Sequence, residues 1–303
     1  MFEFFIEDRS ERGTDFRLID EATFNALSDA KDVISNACFL EQKFDFCIEN
    51  YIELEKTILD STLELMAFME LDYPSMDLIT AKIDRRCMNL LTTARAYVDA
   101  MPQHINKICG RGTGDREVAD EYLRMEYDSR LGYRAMECLR NYVQHQGFPT
   151  SGAYFGCDGR ADKDRYSIDP YISPVELQGT KFKPNVLKEL VAHGEQISLK
   201  FIVRDYVQGL STIQNKVRGL IHGKIDAARQ LIEHAANDFS AYHEKEFRPK
   251  DLSVVAQVDG AEKTSFTLSL TYDETRMKLV RKNRHHRKLG KSYVTSEDVM
   301  PEM

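Results

Sequence analysis

The sequence predicts a mainly α protein, a helical bundle with a small β element at its C-terminus and room for a second at its N-terminus. Three observations carry this. Apolar residues recur at steps of three and four through most of residues 20–247, the spacing that lines one face of a helix. Glycine and proline gather at a few boundaries. Alternating, strand-like runs occur only near the two ends.

At the start, FEFFI and FRLI are separated by the polar EDRSERGTD and suit a hairpin or an edge pair of strands. From Asp20 the pattern turns helical, and Phe44, Ile48, Tyr51, Ile52, Ile58, Leu59, Leu63 and Met66 repeat the helical step. DYPS at 72–75 ends that helix and offers Ser75 as N-cap of the next. There Ile79, Ile83, Cys87, Leu90, Leu91, Ala94, Val98 and Met101 continue the period. CGRGTGD at 109–115 reads as a glycine turn, because it lacks the spacing and the Lys-Ser/Thr of a phosphate loop. A third helix is expected from about Asp115 through LRNYVQHQ, closing on Gly147 and Pro149. Residues 147–185, dense in Gly, Pro and Asp, are expected to form an irregular excursion with one short strand around YSIDPYI. Helical patterning returns from Pro184 to about Phe247, and LSVVAQVDG and TSFTLSLTYD then read as two strands around a polar turn. The expected organisation is a β-like segment over 1–19, a helical domain over 20–248, and a β-hairpin with a basic tail over 249–303.

Bulk properties exclude several classes. A chain of 303 residues that is 42% apolar and 30% charged can bury a core and is too apolar for wholesale disorder. The acidic start MFEFFIEDRSERG is unlike a secretory signal, and no run approaches the roughly 18 apolar residues of a membrane helix. A cytoplasmic protein with no membrane partner is the expectation. The six cysteines show no C-x-x-C and no histidine at zinc spacing, so reduced thiols are expected, with no metal and no cofactor. The net charge of −8 is uneven. RMKLVRKNRHHRKLGK, from Arg276 to Lys291, holds eight Lys/Arg and no acid, leaving 33 basic against 49 acidic residues elsewhere, a net −16. Such a patch on an acidic body is able to bind a phosphate backbone; a solvated tail neutralising that body is the other reading.

Chemistry-bearing residues concentrate in LRNYVQHQGFP, residues 139–149. An Arg followed five residues later by a His occurs three times, at Arg140/His145, Arg229/His234 and Arg281/His286, so spacing alone selects none of them. Arg229 and His234 lie in RQLIEH, inside a periodic helix, and read as a salt-bridged face. Arg140 and His145 instead sit just before the break at Gly147 and Pro149, where a long arginine can share a cleft with the histidine. Arg134, Asn141 and His145, with Cys138 beside them, also fall on one helical stripe. An ordinary capped helix end has the same pattern, with His145 near the negative end of the dipole and Arg140 paired to Glu137 or to an acid elsewhere.

YRAMECLRNYVQHQGFP, residues 133–149, resembles the signature helix of the HEPN superfamily, in which Arg, a polar residue, three further residues and His form a ribonuclease motif. The flanking LRNY, QH and G-x-P also resemble bacterial members of that superfamily. The resemblance implies a HEPN-like bundle and metal-independent RNA cleavage by Arg140, Asn141 and His145, with attack by the ribose 2′-OH leaving a 2′,3′-cyclic phosphate and a 5′-OH end. His145 would move the proton, since a histidine titrates near neutral pH. Arg140 would carry phosphorane charge, and Asn141 would orient the phosphate or hold the histidine. The resemblance further implies a homodimer in which two motifs share a cleft, a role in defence or as a toxin, and an antitoxin or activating partner. Lys278, Arg281, Lys282, Arg284 and Arg287 are the residues that would guide RNA. A non-catalytic helical module that binds RNA or protein, and a structural or regulatory scaffold, are the competing readings.

Overall fold

The computed structural model describes residues 2–9, 15–69, 72–160, 163–284, 286 and 288–295. In chain order the first half comprises β1 (Phe2–Asp8), β2 (Phe16–Ile19), α1 (Glu21–Phe68), α2 (Tyr73–Cys109), α3 (Asp115–Ser129) and α4 (Leu131–His145). There follow β3 (Gly152–Arg160), β4 (Lys163–Ile172), α5 (Pro184–His193), β5 (Ile197–Ser198), α6 (Leu199–Tyr242), β6 (Leu252–Val258), β7 (Ala261–Thr267) and α7 (Thr271–Lys282). The protein is mainly helical, and among the described residues no helix is long and apolar enough to cross a membrane. It divides into two compact units, residues 1–45, 96–121 and 215–284 in the first and 46–95, 122–214 and 285–303 in the second.

In the first unit, Asp20 caps α1 by accepting the Thr23 N–H at 2.7 Å. The sheet runs β2-β1-β6-β7 and is antiparallel throughout, with Phe5 opposite Val255 and Ile6 opposite Val254. The two terminal segments that read as separate in the sequence therefore share one sheet. Nothing local announces such a pairing, because the partners lie some 250 residues apart. Ile6, Val254 and Ala256 face Phe24, Leu27 and Ile34 of α1 and Ile232 and Phe239 of α6 in one apolar core. Each fully buried side chain of this size stabilises by about 1.5–3 kcal/mol. RQLIEH forms the expected ion-paired face, Arg229 bonding Glu233 at 3.0 Å and His234 approaching Asp238 at 3.4 Å while Ile232 is buried.

The stretch expected to be a basic tail is instead anchored structure up to Arg284. In the first turn of α7, Asp273, 3% exposed, accepts Arg276 Nε at 2.8 Å. At its far end Asn283, 1% exposed, donates to Asp45 at 2.8 Å, and its carbonyl accepts Arg218 Nη1 at 3.3 Å. Arg218 grips the buried Glu41 through two bonds of 2.8 and 2.7 Å. A run of like charges forms a helix here because Asp45 of α1 pairs with Lys282 at 2.8 Å and Asp273 of α7 itself pairs with Arg276 at 2.7 Å.

In the second unit, Asp72 rather than Ser75 caps α2, accepting the Ser75 N–H at 2.8 Å. Pro74, whose missing N–H costs nothing in the first helical turn, fixes that register. The single third helix is in fact two, broken at Arg130 with φ −122° and ψ 120°. The break lets α4 approach α6 closely. A Cβ on Gly132 would come within 2.6 Å of the Ile202 carbonyl oxygen and 2.7 Å of the Asp205 Cβ. Asp205 then serves both sides of the break, with Oδ2 accepting the Gly132 N–H at 2.9 Å and Oδ1 accepting Arg130 Nη1 at 2.8 Å. A carboxylate at the first turn also suits the positive end of α4.

The excursion at 147–185 is corrected as well, since it carries two long antiparallel strands, β3 and β4, with Phe155 opposite Ile168 and β5 at the edge of β4. Among the described residues of this hairpin only Ile168, Pro170 and Ile172 of β4 are buried, and glycines and charges occupy much of the rest, so no strand-like alternation marks it in the sequence. Five cysteines are buried, and Cys157 on β3 is exposed.

Candidate functional site

Helix α4 is positioned by its buried face. Tyr133, Ala135, Met136 and Leu139 are each no more than 3% exposed, and the Tyr133 ring meets Tyr206 of α6 edge-on at 4.9 Å. This leaves the Arg140, Asn141 and His145 side of α4 half-buried to exposed. The helix continues through His145 and stops at Gln146, whose N–H bonds the Tyr142 carbonyl at 2.8 Å. The break thus falls after the motif and not within it.

Arg140 and Asn141 are brought together, Arg140 Nη2 donating to Asn141 Oδ1 at 2.7 Å. The carbonyl of Asn141 therefore steadies the arginine, while its NH₂ group is left to donate. Arg140 Nε is buried and has no hydrogen-bond partner among the described residues. Asn141 and His145 are four residues apart, so they lie on the same face one turn from each other. His145 is exposed, and among the described residues it makes no hydrogen bond or ion pair. No hydrogen bond joins Arg140 to His145. Of the capped-helix alternative, the Arg140–Glu137 pair does not form, because Glu137 faces Arg95 at 3.7 Å and accepts the Tyr206 hydroxyl at 3.4 Å, whereas His145 does lie in the last turn of α4, where a cation suits the negative end of the dipole. Arg134, on the same stripe in sequence, is consumed structurally. It donates to the Tyr127 and Asp128 carbonyls at 2.9 and 2.6 Å, closing the end of α3, and pairs with Glu189 of α5. Cys138 is 2% exposed, and burial pushes its thiol pKa up.

Two residues that sequence reasoning passed over shape the site. Asp84 of α2, 7% exposed, accepts the Thr150 N–H at 2.9 Å and so pins the chain five residues beyond His145. Burial raises its carboxyl pKa from 3.8 to about 6. Phe148, between Gly147 and Pro149, is 69% exposed. Asp84 gave no signal, being one acid in a periodic helix; Phe148 lay inside the G-x-P flank.

Of the residues assigned to RNA guidance, Lys278, Arg281 and Arg284 are exposed and form no ion pair among the described residues. Lys282 lies 2.8 Å from Asp45. Arg287 lies outside the described residues. Lys278 to Arg284 belong to the first unit, and Arg140, Asn141 and His145 to the second. Among the described residues no three His, Cys, Asp or Glu side chains converge as metal ligands would. Comparison with protein-family models, with curated proteins and with solved structures finds no match to this chain.

Proposed function

We propose that the chain is a metal-independent endoribonuclease of HEPN type, with Arg140, Asn141 and His145 as its reaction centre. The observation that carries this is the Arg140–Asn141 bond of 2.7 Å one turn before the exposed His145, which has no polar partner among the described residues. Asn141 holds the guanidinium in one orientation, which reduces the entropy lost when it meets a phosphate and favours the spread charge of a phosphorane. His145 takes the proton of the ribose 2′-OH as that oxygen attacks the adjacent phosphorus, or returns a proton to the departing 5′-oxygen. The new bond closes a 2′,3′-cyclic phosphate, and the P–O5′ bond breaks to leave a 5′-OH. One histidine performs one of these two transfers, and a second copy of the chain supplies the other. The toxin or defence role, and an antitoxin or activator, follow from the family resemblance.

The test is incubation of the purified protein with total RNA in EDTA beside His145→Ala and Arg140→Ala. The expected result is cleavage by the wild type, with losses of about 10²–10⁴-fold for the histidine variant and about 10²–10³-fold for the arginine variant. Cleavage that persists in both variants, or that needs added metal, overturns the reading. Equal RNA retention by all three proteins without cleavage supports the binding-module alternative, in which the exposed Lys278, Arg281 and Arg284 hold the phosphate backbone.

A further inference from the structure

Beyond His145 the chain is held at four neighbouring points. Gln146 Oε1 accepts the Lys181 N–H at 3.0 Å. Gly147 lies so close under the Tyr142 ring that a Cβ there would come within 2.3 Å of the phenol oxygen. Pro149 is buried, and the Thr150 N–H is bound by Asp84 at 2.9 Å. On this fixed stretch Phe148 turns outward, 69% exposed. It meets no other ring among the described residues, whereas the exposed Tyr154 on β3 lies against Tyr171 in a tilted pair with ring centroids 5.0 Å apart. A large apolar ring left in solvent on a backbone that is already ordered is arranged for a flat ligand, since little further ordering is needed to bind one.

We propose that Phe148 is a base-stacking platform for single-stranded RNA, holding the nucleotide that flanks the phosphate addressed by Arg140 and His145. The inference rests on the ribonuclease reading of that site. An unpaired base offers its π face to an aromatic side chain, while in a duplex that face is covered by the neighbouring base pairs. Stacking tolerates any base, so Phe148 selects strandedness and position more than sequence.

The test measures binding of a short labelled RNA in a His145→Ala background, where cleavage does not confuse the titration. Phe148→Ala is expected to weaken single-strand binding about 10- to 100-fold and Phe148→Trp to restore it. An oligonucleotide carrying one abasic site at the stacked position is expected to bind the parent as weakly as the intact strand binds Phe148→Ala. Unchanged affinity in Phe148→Ala, or affinity that no abasic position alters, overturns the inference. So does an oligomer that loses mass in Phe148→Ala, which assigns the ring to a protein contact. The two readings fail separately. Wild-type cleavage that matches His145→Ala removes the ribonuclease, whereas a dead His145→Ala beside a Phe148→Ala of normal affinity and KM removes only the platform.

Discussion

Asp84→Asn measures the pH cost built into the segment that follows the candidate site. The buried Asp84 carboxyl has its pKa raised from 3.8 to about 6, chiefly by desolvation of the charged form. Below pH 3.8 it is neutral in the folded and the unfolded chain and costs nothing. As pH rises through about 6 the folded state must carry the buried charge, and the stability enjoyed by the neutral form is lost. A displacement of about two pKa units at 1.36 kcal/mol each gives about 3 kcal/mol at pH 8. Asparagine keeps an oxygen to accept the Thr150 N–H and cannot ionise. Urea titrations across pH should therefore find Asp84→Asn and wild type alike near pH 4, with the variant about 2–3 kcal/mol more stable at pH 8. The divergence should span pH 4 to 6. A variant less stable at pH 8, or a difference independent of pH, refutes the claim that Asp84 is a desolvated carboxyl.

Three other perturbations probe the frame. Gly132→Ala forces a methyl against the Ile202 carbonyl at 2.6 Å and is expected to cost about 1–3 kcal/mol by chemical denaturation; a neutral result means α4 and α6 are not that close. Arg218→Ala strands Glu41, 2% exposed, without its two-bond partner, and a loss of about 3–5 kcal/mol is expected, with the buried carboxylate as the cause if Glu41→Gln in the same background recovers part of it. His145→Ala removes an exposed side chain that makes no bonds among the described residues, so its melting curve should match wild type within about 0.5 kcal/mol even where activity is lost; a large destabilisation would make the histidine structural.

The helices were legible in the sequence because burial on one face leaves a periodic trace, as in Phe44, Ile48 and Tyr51 of α1, and because Asp20 and Pro149 mark ends. What escaped depends on contacts distant in sequence. The break at Arg130 is made by Asp205 and Ile202 of α6, and nothing in the preceding LRMEYDS, residues 123–129, requires it. The shared terminal sheet rests on pairing across the length of the chain, and the end of α7 on Asp45 of α1. In the site, the adjacency of Arg140 and Asn141 was readable, and their bond follows from it. The sequence stripe could not show that Arg134 is spent on the carbonyls of α3 while His145 is left to solvent. Phe148 was visible only as part of a turn, because its meaning lies in the four anchors around it.

The most direct measurement of the central claim is the chemistry of the cut ends on an RNA carrying one 2′-deoxy nucleotide at a mapped cleavage position. The account predicts a 2′,3′-cyclic phosphate and a 5′-OH from the all-ribose strand in EDTA. It predicts loss of that one cut in the deoxy strand, and loss of every cut in His145→Ala. A 3′-OH with a 5′-phosphate, or cleavage at the deoxy position, would contradict it.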